Sequence, residues 1–236
     1  MADTATLNLP LLAPSQAQKH VTVNEALARI DAALQLGVVS RTTSTPPSLV
    51  EDGVTYLVPL GGVNDWGGQD GKLAVYLNGG WDFLTPLAGW RVFVSDEAVD
   101  IRFDGVEWQD NPLSTSPFGA GMRAETVEFD FTIGAGSSVL TGFVIPKDCV
   151  VFAVTGLVTD AITGTLSNWS LGVDTSDTRY GTGLGIGNGS YVRGLTGQPQ
   201  AYHSSTQLKL TANGGDFSGG TVRLAVHVLR FDIPRA

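Results

Sequence analysis

"TVRLAVHVLRFDIP", residues 221–234, is the stretch on which the fold turns. Val222, Leu224, Val226 and Val228 fall in one phase of a two-residue period, and Arg223, Ala225 and His227 in the other. Successive side chains of a strand point to opposite faces, so the valine and leucine set is a core row and the other set faces away from it. The same period runs through "TVEFDFTI" (126–133), with Val127, Phe129 and Phe131 on one face, and through "NWSLGVD" (168–174), with Trp169, Leu171 and Val173 in phase. "SVLTGFVIP" (138–146) and "CVVFAVTGLV" (149–158) are apolar enough to be core strands, and "QLKLTA" (207–212) adds another. Five or more strands separated by turn signals predict a β-sandwich or jelly roll over 127–236.

Working towards the N-terminus, "DNPLSTSPFGAGM" (110–122) carries two prolines, two glycines and several hydroxyl residues. It reads as a domain boundary, with a linker over 111–126. Residues 49–110 read as a small β-meander of short alternating segments, with hairpin signals at Asn78-Gly79 and Asp104-Gly105. In so thin a module each large ring supplies much of the buried area. Trp81, Trp90 and Trp108 are therefore expected as structural anchors, with an exposed sugar-stacking platform as the other reading. "SRTTSTPPS" (40–48) reads as a polar linker.

Residues 1–40 read as an arm and a short helix. "LNLPLLAP", with Pro10 and Pro14, predicts an extended arm. "TVNEALARIDAALQLG" (22–37) predicts a helix with a capping box between Thr22 and Glu25 and a stop at Gly37. Val23, Leu27, Ile30 and Leu34 follow a 4-3-4 spacing and share one face. That seam packs either on its own domain or on copies of itself. The chain as a whole is expected to be mainly β.

Composition narrows the function. Net charge is −9, with 15 acids against 7 bases in residues 1–126 and 8 against 7 in the remainder. An acidic front half repels phosphate backbones, which disfavours nucleic acid as a partner. Cys149 is the only cysteine, so no intrachain disulfide or thiolate zinc cluster forms, and its apolar context predicts a buried thiol. No run approaches the ~18–20 apolar residues of a membrane span. Asp3 replaces a basic region at the start, so the chain is expected to be made in the cytoplasm without a signal peptide.

Signals for catalysis are absent. His20, His203 and His227 sit in separate contexts without metal-ligand spacing, and no nucleophile-elbow, zinc-protease or phosphate-loop motif occurs. "GLGIGNG" (183–189) is followed by "SYVRG", which is not the helix start that a dinucleotide loop needs. Residues 129–236 contain no glutamate, and no aspartate pair is marked for glycoside cleavage. No catalytic residue, metal or cofactor is expected. The oxygen-rich "DTSDTRYGTG" (174–183) invites a calcium reading but lacks the spacing of a calcium loop.

The feature that points to a ligand is the stretch 174–207. Arg179, Tyr180, Asn188, Tyr191, Arg193, Tyr202 and His203 lie there among many glycines. Tyrosines on Gly- and Ser-rich loops make adaptable contact surfaces, and arginine pairs with acidic or hydroxyl-rich groups. These residues are candidates for binding carbohydrate, against the alternative that the tyrosines pack between sheets. Tyr191 and Arg193 are the sharpest pair, being two apart and so on one face of any extended segment.

"LNLPLLAPSQAQKHVTVNEALARIDAAL" (7–34), "DGVTYLV" (52–58) and "GGQDGKLAVYLNGGWDFLTPLAGWRVFVSDE" (67–97) resemble a domain family of alphaproteobacterial prophages and gene transfer agents, which are phage-like particles carrying cellular DNA. The resemblance spans residues 5–110. It implies a non-enzymatic head spike or fibre protein, anchored to capsid or other particle proteins by its N-terminal region. It also implies that the rear binds capsular or other surface polysaccharide of a recipient bacterium. A homo-oligomer is implied, a trimer foremost, with Val23, Leu27, Ile30 and Leu34 at its seam. Such a protein is exposed outside the cell once the particle is released. The alternatives are a particle-borne polysaccharide depolymerase and a purely structural head or tail decoration.

Overall fold

A computed structural model describes residues 3–12, 19–34 and 36–236. Pro14 of the expected arm and the His20 side chain lie outside the described residues. The chain is mainly β with one short helix, and it divides into two compact units, Met1–Pro112 and Leu113–Ala236.

In the first unit, helix α1 (Lys19–Leu34) begins three residues ahead of Thr22. No Gly or Pro interrupts Lys19–Thr22, so the helix runs through, and Thr22 and Glu25 lie inside it instead of forming a capping box. The inward side of α1 sets two polar residues, Asn24 and Asp31, beside half-buried Leu27, Ala28 and Ala32. Asp31, only 3% exposed, accepts hydrogen bonds from Thr4 Oγ1 at 2.8 Å, Thr6 N at 2.8 Å and Leu7 N at 2.7 Å. The Asn24 amide accepts from Leu12 N at 2.9 Å and donates to Leu12 O at 3.1 Å. These two side chains, one heptad apart, hold the arm's backbone. Val23, Ile30 and Leu34 are exposed by 40, 50 and 68%, and Leu27 is half-buried. Three of the four residues on that face are thus left uncovered by the described residues.

Two small sheets follow. Strands β1 (Gly37–Val38), β2 (Thr55–Leu57), β3 (Leu73–Leu77), β4 (Gly80–Leu84), β5 (Arg91–Val94), β6 (Val99–Phe103) and β7 (Trp108–Asp110) pair in the orders β2-β3-β4 and β1-β5-β6-β7. Asn78 and Gly79 join β3 to β4 with φ of 51° and 81°, the left-handed pair that a tight hairpin requires. Val38, Leu57, Leu73, Val92, Val94 and Ile101 form one core, against which Trp90 and Trp108 pack. A second cluster gathers Val58, Trp66 and Ala74, with Trp81 at 5.1 Å from the Trp66 ring and Tyr56 at 5.3 Å. The three expected tryptophans therefore serve packing. The fully buried centre of the second cluster, Trp66, carried no periodic signal because it sits on a three-residue 3-10 turn. The stretch 40–48 is tied down: Ser40 is buried, and Arg41 bridges Glu97 (2.6 Å) and Asp110.

The second unit contains β8 (Pro112–Thr115), β9 (Gly121–Thr132), β10 (Ser138–Leu140), β11 (Cys149–Gly164), β12 (Asn168–Val173), β13 (Ser176–Leu184), β14 (Tyr191–Tyr202), β15 (Lys209–Asn213) and β16 (Phe217–Asp232). They form a sandwich of a five-stranded sheet, β14-β11-β16-β9-β8, and a four-stranded sheet, β10-β15-β12-β13, around one core. Val222, Leu224, Val226 and Val228 are buried in it as their phase demanded, beside Trp169, Leu171 and Val173. Cys149 is buried there too, and burial pushes its thiol up.

Two expectations are corrected. Residues 111–126 are not a linker, because β8 and the first half of β9 occupy most of them. The turn chemistry is confined to Asn111, with φ of 40°, and to the tip, where Gly119 has φ of 78°. Residues 174–207 are not long loops but β13 and β14, joined by residues 185–190. Gly194 in β14, and Gly172 in the neighbouring β12, serve close packing. A Cβ at Gly194 would lie 2.2 Å from Tyr180 O, and one at Gly172 would lie 2.0 Å from Ser176 O. Of "SVLTGFVIP", only Ser138–Leu140 is strand, and Phe143 is exposed.

Candidate carbohydrate-binding face

The outer face of the five-stranded sheet is set by register. Tyr191 pairs with Leu157, which pairs with Arg223, which pairs with Asp130. One step along, the row is Arg193, Thr155, Ala225 and Glu128; the next is Leu195, Ala153, His227 and Thr126. The odd phase of "TVRLAVHV" thus becomes the middle of an open surface whose back rests on the core.

Tyr191 is 64% exposed, and the Arg193 guanidinium carbon stands 5.2 Å from its ring centroid. That is a cation–π distance, so the pair is a preformed stacked unit on a strand. Leu157 and Leu195 flank it, both exposed. Arg223 donates to both Asp130 oxygens, at 2.7 and 2.8 Å, and this hydrogen bonding holds the Asp130 carboxyl below its usual range. His227 is spanned by two hydroxyls, Thr155 Oγ1 at 2.9 Å and Thr126 Oγ1 at 3.3 Å. Phe152, Ala124 and Leu229 line a shallow depression beside it. An aromatic ring, guanidinium groups, hydroxyls and carboxylates therefore lie on one face, the mixture that suits flat C–H faces and hydroxyl groups.

The other candidates do different work. Tyr180, 1% exposed, lies in the core; its hydroxyl meets that of Tyr202 at 2.7 Å, and burial pushes the Tyr180 phenol up. Its ring is not offered to a ligand. Arg179 donates to Gln200 Oε1 at 2.6 Å and cross-links β13 and β14. Asn188 donates to Thr159 O at 2.8 Å and pins the loop between those strands. Tyr202 is half-buried, and His203 is exposed beside it, at the opposite end of β14 from Tyr191. Eleven residues of strand separate those ends by roughly 35 Å, too far for one sugar seat. Of the seven candidates, Tyr191 and Arg193 alone sit together on the outer face. Leu157, Thr155, Arg223 and His227 join them and were missed, since the pairing of distant strands is not written in local spacing. In 174–183 the carboxylates face a lysine: Lys209 Nζ lies 3.1 Å from Asp177 and 3.7 Å from Asp174. Among the described residues no helix is long and apolar enough to cross a membrane.

No curated protein matches the chain. Among solved structures, a chain described as "Cyanophage Pam1 capsid asymmetric unit" is similar at 20% identity and a TM-score of 0.34, over 50% of this chain and 90% of that one. Residues 23–109, which hold most of α1 and both small sheets, match the model of a family described as "Protein of unknown function (DUF2793)".

Proposed function

We propose that the chain is a non-enzymatic structural protein of a phage-like particle, a head spike or fibre displayed as a homotrimer, and that its rear unit binds bacterial surface polysaccharide. The particle role rests on the resemblance carried by residues 5–110, with attachment to capsid or other particle proteins through the N-terminal region. In this reading the protein acts outside the cell after particle release. One observation carries the polysaccharide reading: the exposed, stacked Tyr191–Arg193 pair on a rigid strand, continuous with a polar and aromatic sheet face. A pyranose stacks on the free side of the ring, and the guanidinium donates to its hydroxyls or to an acidic substituent.

The test uses the full-length chain on capsulated and acapsular cells. Binding is expected to capsulated cells alone. Tyr191→Ala and Arg193→Ala are each expected to weaken it about tenfold or more while stability changes by no more than ~0.5 kcal/mol, as for exposed sites. Equal binding to both cell types overturns the capsule reading. Release of reducing ends in proportion to added protein identifies a depolymerase instead.

A further inference from the structure

Arg193 is a guanidinium without an acceptor. It is exposed on β14 and stands 5.2 Å from the Tyr191 ring centroid, and among the described residues no oxygen accepts a hydrogen bond from it. Other arginines of the rear unit are answered. Arg223 donates to Asp130 at 2.7 and 2.8 Å, Arg230 lies 3.2 Å from Glu125, Arg123 lies 3.2 Å from Asp232, and Arg179 donates to Gln200. We infer that the polysaccharide seated on this face is an acidic one, built with uronic acid or another carboxylate-bearing sugar, and that Arg193 holds the carboxylate. The inference rests on the carbohydrate reading above and narrows it to one ligand chemistry.

Neutral sugars are told apart by their pattern of hydroxyl groups, so a site for them needs both donors and acceptors uncommitted. This face has spent most of its own. Thr155 Oγ1 and Thr126 Oγ1 engage the His227 ring at 2.9 and 3.3 Å, and both Asp130 oxygens accept from Arg223. Leu195 follows Arg193 in phase along β14, and Leu157 lies beside Tyr191 on β11; both are exposed and have no polar group to offer. Beyond the Tyr191 hydroxyl, what stays free is a planar cation that only donates, and a carboxylate matches that fork in shape and in charge. The strand beneath is fixed by buried Val192 and Gly194, and Tyr191 braces the cation, so little freedom is lost on binding. The net charge of −9 repels a polyanion at long range. Glu128, the acid in the row of Arg193, stands three strands away, roughly 14 Å at the usual ~4.8 Å strand spacing. That is beyond the ~10 Å screening length of about 0.1 M salt, whereas a carboxylate in contact with Arg193 and partly covered is screened much less.

The probe is capsular polysaccharide purified from the capsulated cells, used as isolated and after chemical reduction of its carboxylates to primary alcohols. Each form is titrated against the full-length chain at about 0.1 M salt. The native polymer is expected to bind about tenfold or more tighter than the reduced one, the effect of one charge-assisted fork. Arg193→Gln is expected to bring the native polymer down to the level of the reduced one and to leave the reduced one unchanged. Arg193→Lys, which keeps the charge and loses the fork, is expected to recover only part of the preference. Tyr191→Ala is expected to weaken both forms. All three variants are expected to melt as the unsubstituted chain does, since both positions are exposed. Equal binding of native and reduced polymer overturns the inference and leaves the carbohydrate reading standing, as when a phosphate or sulfate carries the charge. A preference for the native form that survives Arg193→Gln overturns it as well. Binding of neither form overturns both readings.

Discussion

Asp31 shows how much one side chain organises. Burial alone would raise its carboxyl, but hydrogen bonds from Thr6 N, Leu7 N and Thr4 Oγ1 outweigh that and hold it below the ordinary carboxylate range. A lowered folded value means that the contribution to stability is complete above the unfolded value of about 3.9 and is lost as pH falls through the folded one. Protection of the Thr6 and Leu7 amides relative to their intrinsic exchange rates is expected to fall on acidification below that point and to stay level from neutral pH upward. Asp31→Ala is expected to cost about 1–3 kcal/mol, since the arm's donors lose their acceptor, and to give the same protection at every pH. Gly194 is the counterpart in the rear unit. Gly194→Ala drives a Cβ to within 2.2 Å of the Tyr180 carbonyl oxygen, and a loss of about 3 kcal/mol is expected in denaturant melts. Gly197→Ala, with open space around it, is the control and is expected to stay within ~0.5 kcal/mol.

At the scale of elements, legibility in the sequence followed the range of the signal. Strand β16 was readable because Val222, Leu224, Val226 and Val228 alternate without interruption, and the β3–β4 hairpin because Asn78-Gly79 demands left-handed backbone. Strands β13 and β14 were hidden by their glycines, which resemble loop residues until Gly194 is seen against Tyr180. Helix α1 was legible as a helix, and the shared face of Val23, Ile30 and Leu34 is an exposed one. Which side faced inward was not legible, because that depends on an arm held by Asp31 from 24 and more residues away. Part of the candidate site was readable for the same reason: Tyr191 and Arg193 are neighbours in strand phase, whereas Leu157, Thr155, Arg223 and His227 reach them only through pairing. The corrected start of β9 has a practical consequence. A fragment of residues 113–236 is expected to melt cooperatively. One beginning at residue 127 removes β8 and half of β9, strips the His227–Asp232 half of one side of β16, and is expected to show no cooperative transition by circular dichroism.

The whole molecule holds two independent sets of cores, one in each unit. Calorimetry is therefore expected to resolve two transitions, with Asp31→Ala lowering one and Gly194→Ala the other. A single transition shifted by both variants would show that the units melt together. Trp66, Trp81, Trp90 and Trp108 report on the front unit, and Trp169 alone on the rear. Strand β16 lies between β9 and β11 over most of its length, and Asp130 meets Arg223 across 93 positions of chain. On the ribosome, β9 and then β11 emerge before their shared neighbour exists, with their apolar sides showing. Pairings of such long separation form slowly, and a half-made sheet is prone to stick to others like it. The sheet of the rear unit closes only once β16 has been synthesised. In refolding from denaturant, the fluorescence of Trp169 is expected to recover in a slow phase that the front tryptophans do not share.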